Sequence, residues 1–232
     1  MSGWIISGPS SAGKTTFVRS GAFEEIAGLP RDVAMIHPRM LIFGRELAPP
    51  PRVLHYNILR PFKLIRKRVY DGVPKRVGLP SLRRFWLRAF WTPSTRFLEE
   101  MWDYSIDPGL DLWRDLVGRE EPMNAVVLVS TPAELQRRVR RRAFNEIRAS
   151  GPTRQYEIRR WLYTYRRIDL PTVYLRWVEH LEALGMGVTL VRSSRHQFEA
   201  IDREALAELL SADYQPRWPT PAPLATLTDA GG

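Results

Sequence analysis

Residues 8–15 read Gly-Pro-Ser-Ser-Ala-Gly-Lys-Thr, and no other stretch of the chain constrains the fold as strongly. They match the pattern G-x-x-x-x-G-K-[ST] in full. That pattern needs a particular setting: it leaves a buried strand and opens a helix. Trp4-Ile5-Ile6-Ser7 is a short apolar run directly before it and reads as the strand. A helix is expected from Lys14 through Phe17 and Val18 to about Ala22.

The same alternation continues along the chain. Val33-Ala34-Met35-Ile36 and Val53-Leu54-His55-Tyr56 read as second and third strands, the latter led in by Pro49-Pro50-Pro51. Ala125-Val126-Val127-Leu128-Val129 is apolar throughout and rich in β-branched residues, the signature of a strand covered on both faces in a parallel sheet. Gly187–Val191 reads as the fifth.

Helices are expected between them. Ser81 opens one with Leu82, Phe85, Trp86, Ala89 and Phe90 on a single face. Asp107-Pro108 starts another as N-cap and first-turn proline, with Leu110, Trp113, Leu116 and Val117 as its buried stripe. Thr131-Pro132-Ala133-Glu134 is a capping box, followed by Leu135, Val139, Phe144 and Ile147. Ile158 to Tyr165, Val173 to Leu184 and Asp202 to Leu210 carry the same spacing. The expectation is an α/β fold with a mainly parallel, five-stranded sheet.

The chain has 232 residues, 44% hydrophobic and 11% aromatic, enough for one sizeable core. Its formal charge is +10, almost all from arginine, since lysine occurs only at 14, 63, 67 and 75. Such a balance favours anionic partners. With no cysteine, disulfides, thiol catalysis and thiolate metal sites are excluded. No apolar run approaches the ~20 residues of a transmembrane helix, and no signal peptide is evident. The expected location is the cytoplasm.

The glycine-rich run has a definite chemistry. Glycines at 8 and 13 let the backbone curl with its N–H groups inward, around a phosphate at the start of the following helix. Gly8, Ser10, Ser11, Ala12, Gly13, Lys14, Thr15 and Thr16 are therefore the candidate nucleotide-binding residues. Lys14 would reach the β- and γ-phosphates, and the Thr15 hydroxyl would ligate Mg²⁺. The implied ligands are ATP or GTP with Mg²⁺.

On these residues, and on the strand–helix unit from Val126 to Arg142, the chain resembles the P-loop kinases of small molecules, the group of nucleoside, nucleotide and antibiotic kinases. The resemblance implies a three-layer P-loop NTPase fold. It also implies a helix with lid arginines that clamp the phosphoryl group in transit. Arg138 and Arg142, among Arg137, Arg138, Arg141 and Arg142, are the residues it nominates, catalytic together with Lys14. There is a departure. Such kinases commonly carry an Asp at the end of the second or third strand, where this chain has His37 and Asn57. His37 and His55 are then the candidate bases. His37, Arg39, Asn57 and Arg60 are candidate acceptor-binding residues, because they follow strands whose C-terminal ends line ligand sites.

Residues 59 to 98 are basic and aromatic, and with the acidic stretch Glu99 to Glu121 they make a cap-like insert at about 59–121. Residues 1–213 form the expected domain and 214–232, rich in Pro, Ala and Thr, a flexible tail. The insert suits an anionic small-molecule or glycan acceptor. The same composition suits single-stranded nucleic acid or a peripheral membrane contact, and the acidic stretch would pair with the basic one and reduce both. Three functions follow in order: phosphotransfer from ATP to a hydroxyl of a small or glycan-like acceptor, a nucleic-acid kinase or binder, and a nucleotide-binding regulator without transfer.

Overall fold

The structure, a computed structural model, describes residues 3–31, 33–44, 52–61, 64, 103–150 (side chains through 142), 168–195 and 197–212. The elements run β1 (Gly3–Ser7), α1 (Lys14–Val18), α2 (Gly21–Ala27), β2 (Ala34–Ile36), α3 (Pro38–Ile42) and β3 (Arg52–His55). A 3-10 turn, Tyr104–Ile106, then precedes α4 (Pro108–Val117), β4 (Met123–Val129), α5 (Pro132–Ser150) and α6 (Leu170–Ala183). The last described elements are β5 (Gly187–Ser194), β6 (Gln197–Ile201) and α7 (Arg203–Ala212).

The strands form one sheet in the order β2-β3-β1-β4-β5-β6. The first five are parallel, and β6 pairs antiparallel with β5. β1 lies at the centre, with Ile6 opposite His55 on one side and Val126 on the other. The chain thus passes from β3 to β4 across β1. This is the kind of switch point where, in parallel sheets, a crevice opens at the C-terminal strand ends. The loop after β1 emerges into that crevice.

Burial explains why these segments are strands. All five residues from Ala125 to Val129 are fully buried, which requires cover on both faces of β4. Beneath the crevice, Trp177 of α6 stacks on Tyr56, with ring centroids 4.7 Å apart, and donates its indole N–H to Ser7 Oγ at 2.8 Å. Ser7 Oγ in turn donates to the Val126 carbonyl. The polar tip of the Trp177 side chain is therefore satisfied at the sheet's centre.

Three expectations need correction. The sheet has six strands, not five: β5 runs on past Val191 to Ser194 and pairs with β6 as a hairpin. The edge strand Gln-Phe-Glu-Ala-Ile is too exposed and polar to announce itself by periodicity. The helix expected from Lys14 to Ala22 is two helices. Ser20 Oγ donates to the Phe17 carbonyl at 2.6 Å, so a side chain takes the place of the next helical turn, and Gly21 follows. In α4, Leu110 and Trp113 are buried as expected, but Leu116 faces out.

The caps are as expected. Asp107 Oδ1 accepts from Gly109 N, Thr131 and Glu134 form the reciprocal box, and Asp202 Oδ1 accepts from Ala205 N. The helices expected at 81–90 and 158–165, the triple proline, the basic stretch beyond residue 64 and the tail from 214 lie outside the described residues.

Candidate functional site

The loop between β1 and α1 takes a shape that its glycines make accessible. Gly8 has φ 142°, and a Cβ there would sit 2.7 Å from the Leu128 carbonyl oxygen. Gly13 has φ 94°, in the left-handed region. Ser11 reaches φ 69° without being glycine. Ala12 N donates to the Pro9 carbonyl, and Phe17 N to the Gly13 carbonyl, so the loop curls directly into α1. Lys14 is buried, and its ammonium donates to the carbonyls of Gly8 at 2.8 Å and Pro9 at 2.7 Å. A lysine thus sits inside the curl, while Thr15 and Thr16 lie exposed beside it.

On one flank stands Arg138, in the second turn of α5. Nη1 donates to Ala12 O at 3.0 Å, Ser193 Oγ at 3.1 Å and Ser130 Oγ at 3.4 Å. Nη2 donates to Ser193 O at 2.7 Å. One guanidinium therefore joins the loop, the end of β4 and the end of β5. Burial lowers its pKa, with Glu134 and Tyr174 acting in the opposite sense. Ser130 is itself fixed, its Oγ on Ser193 O and its N–H on Tyr174 Oη. The hairpin adds Phe198, which packs edge-on against Phe17 of α1 at 5.0 Å.

The other flank is formed by the ends of β2 and β3. The rings of His37 and His55 meet edge to face at 4.5 Å. Burial, then the charge of Lys14, then His37 push His55 down to about pKa 3, so it is a neutral imidazole. His37 is lowered too, by the water its ring loses and by Lys14 and Arg39. Asn57 uses Oδ1 to accept from Leu59 N at 3.0 Å, an Asx turn that bends the chain away from β3.

Arg60 forms an ion pair through Nε with Asp107, whose side chain has no exposed surface. Asp107 also accepts from Tyr56 Oη at 3.0 Å and Gly109 N at 3.0 Å. The cap of α4 is thereby the counter-ion of Arg60, one ion pair between the acidic stretch and the basic one.

All of this opens on one cleft of about 1390 Å³. Of the residues nominated from sequence, it is lined by Ser10, Ser11, Gly13, Lys14, Thr15, Thr16, His37, Arg39, Asn57, Arg60, Arg138 and Arg142. Gly8 and Ala12 lie behind the loop surface and shape it. Cations dominate the described lining: Lys14, Arg39, Arg60, Arg137, Arg138, Arg141, Arg142 and Arg195, against the single carboxylate of Glu134. Sequence reasoning did not find Asp107, Ser130, Tyr174 or Phe198 as parts of this assembly. Asp107 was visible only as a cap, and each of the others acts through at least one contact more than forty residues distant.

Comparison with protein-family models, with curated proteins and with solved structures finds no match to this chain. Functional conclusions therefore rest on the cleft itself.

Among the described residues no helix is long and apolar enough to cross a membrane.

Proposed function

We propose that this chain is an ATP-dependent phosphotransferase with a three-layer P-loop NTPase fold, which moves the γ-phosphoryl group to a hydroxyl of a small or glycan-like acceptor in the cytoplasm. The observation that carries the reading is convergence. The curl around Lys14 and the arginines of α5 meet the ends of β2 and β3 in one cation-rich cleft at the switch point of the sheet.

In this reading the triphosphate is held by the loop N–H groups and by Lys14, which exchanges its carbonyl partners for phosphate oxygens. The Thr15 hydroxyl, exposed in the cleft, fits a Mg²⁺ ligand, and the ion would neutralise phosphate charge. A small oxygen-coordinated ion that keeps most of its waters needs few protein ligands, so one hydroxyl beside a triphosphate suffices. Arg141 and Arg142 line the cleft one turn beyond Arg138 and supply positive charge for the phosphoryl oxygens. The acceptor lies against His37, Arg39, Asn57 and Arg60. Its oxygen bonds to the γ-phosphorus as the bond to the β,γ-bridging oxygen breaks. The hydroxyl proton passes to the neutral imidazole of His55, whose basicity rises to the extent that the triphosphate offsets Lys14, the second cause of its lowered pKa after burial.

Asn57 favours a second reading, a nucleotide-binding regulator without transfer, because its oxygen is committed to Leu59 N. ATP consumption stimulated by an acceptor would eliminate that reading.

Thermal stabilisation by ATP with Mg²⁺ tests the main proposal. The wild-type chain is expected to melt several degrees higher with saturating nucleotide, and Lys14→Ala to lose that shift. Absence of any shift with ATP or GTP would overturn the nucleotide assignment and both readings with it.

A further inference from the structure

The four hydrogen bonds of Arg138 point to a role different from the one its place on α5 suggests. Whereas Lys14 can trade its carbonyls for phosphate by swinging on a flexible stem, a planar guanidinium that clamps a phosphoryl group needs uncommitted N–H groups. Those of Arg138 are directed at protein acceptors on three separate segments: the Ala12 carbonyl in the loop, Ser130 after β4 and both oxygens of Ser193 in β5. The contact with Ala12 spans 126 residues of sequence, and the two with Ser193 span 55.

The loop is close-fitted at the same place. A Cβ on Gly13 would stand 3.2 Å from Ser193 Oγ, 3.6 Å from Arg138 Nη1 and 3.8 Å from the Phe198 ring. Phe198 also packs on Phe17, one turn into α1. The β5–β6 hairpin, Arg138 and the glycine-rich loop are therefore one packed unit. The planar fork of arginine is what lets one side chain join three segments with fixed angles.

We propose that Arg138 is a positioning residue: it ties the Ala12 carbonyl to the β5–β6 hairpin and so holds the loop N–H groups in the arrangement that receives phosphate. The inference rests on the nucleotide reading above and refines it. Turning the Ala12 carbonyl toward α5 leaves the N–H of the same peptide unit on the opposite side, because the two are trans across the amide plane. That N–H belongs to Gly13, which lines the cleft. Arg138 thus acts on whatever phosphates the loop holds, in a diphosphate and a triphosphate alike. Meeting the charge of the transferring group falls to Arg141 and Arg142.

The test is binding of ADP and of a non-hydrolysable ATP analogue, each with Mg²⁺, measured by calorimetry on the full chain. Wild type, Arg138→Ala, Arg138→Lys and Ser193→Ala are compared. Arg138→Ala is expected to weaken both ligands by a similar factor, on the order of tenfold, as loss of charge-assisted bonds implies. Arg138→Lys, which keeps the charge but not the fork, is expected to stay weak. Ser193→Ala removes one hydroxyl acceptor and is expected to weaken both ligands less; combined with Arg138→Ala it should add little. A clamp would give different results: a loss for the triphosphate analogue several times that for ADP, and substantial rescue by lysine. Either of those outcomes would overturn the inference. So would wild-type affinity in Arg138→Ala. Wild type binding neither ligand would sink the nucleotide reading itself.

Discussion

The two flanks of the cleft each hold an arginine, and they hold it in opposite ways. Arg60, at the β3 end, is paired with a carboxylate: Asp107, wholly buried, accepts from its Nε. Arg138, on the loop side, is held by carbonyl and hydroxyl oxygens. A carboxylate cancels the charge it binds, whereas neutral dipoles orient a cation and leave its charge in place. Burial accordingly lowers the pKa of Arg138, the sign expected of a cation removed from water. The loop flank presents positive charge, whereas on the strand-end flank the charge of Arg60 is balanced by Asp107 and that of Arg39 remains. An anion is better accommodated on the first, and a less charged partner on the second.

Removing Asp107 is the largest expected break in this comparison. Asp107→Ala strands the Arg60 guanidinium, deprives Tyr56 Oη of its acceptor and uncaps Gly109 N at the start of α4. Loss of one partner of a buried ion pair costs about 3–5 kcal/mol. Urea denaturation is expected to show a loss of that size, with Asp107→Asn clearly milder because it keeps an acceptor and the cap. Full stability in Asp107→Asn would mean that the charge of Asp107 matters little. The β3 flank would then resemble the loop flank in being held by neutral bonds.

The contrast between flanks was only partly legible in the sequence. The loop flank announced itself, because a glycine-lysine motif fixes its own conformation locally: residues 8–16 determine the curl, and the apolar run before it determines the strand. The β-branched run of β4 and the caps at Asp107, Thr131 and Asp202 are local in the same sense, and all were readable. What could not be read depends on which distant segments meet. Asp107 shows as a helix cap, but its burial against Arg60 and Tyr56 depends on α4 starting beside the chain that leaves β3. Ser193 looks like an ordinary serine until β5 brings it to Arg138. The strand β6 was missed for a related reason: an edge strand with three exposed residues has no periodic core face to signal it.

A smaller effect concerns acid. The folded pKa of His55, about 3, lies far below the ~6.5 of an unperturbed imidazole. The unfolded chain therefore takes up a proton in a pH range where the folded chain does not. The resulting stability is fully present above about pH 6.5 and is lost progressively as the pH falls towards 3. His55→Asn should flatten the slope of unfolding free energy between pH 6.5 and 5, above the range where most carboxylates titrate. Parallel slopes in wild type and variant would show that burial and the charge of Lys14 do not keep the imidazole neutral, and that the strand-end flank carries more charge than its geometry suggests.

The smallest expected effect separates the arginine from the helix that carries it. Thr131 Oγ1 accepts from Glu134 N at 3.2 Å, and Glu134 Oε2 accepts from Thr131 N at 3.3 Å, so the first turn of α5 is closed by its own side chains. Thr131→Ala removes one half of this box and should cost about 1 kcal/mol of stability. The turn bearing Arg138 is still fixed by Leu135 and Val139, both buried in the core, and by the arginine's own bonds to Ser130, Ser193 and Ala12. Nucleotide affinity in Thr131→Ala should therefore change little, and Thr131→Ser should restore the stability. Loss of affinity as large as that in Arg138→Ala would show that the start of α5, rather than the three-segment brace, sets the position of the guanidinium. The loop flank would then owe its order to a helix cap, as α4 does across the cleft.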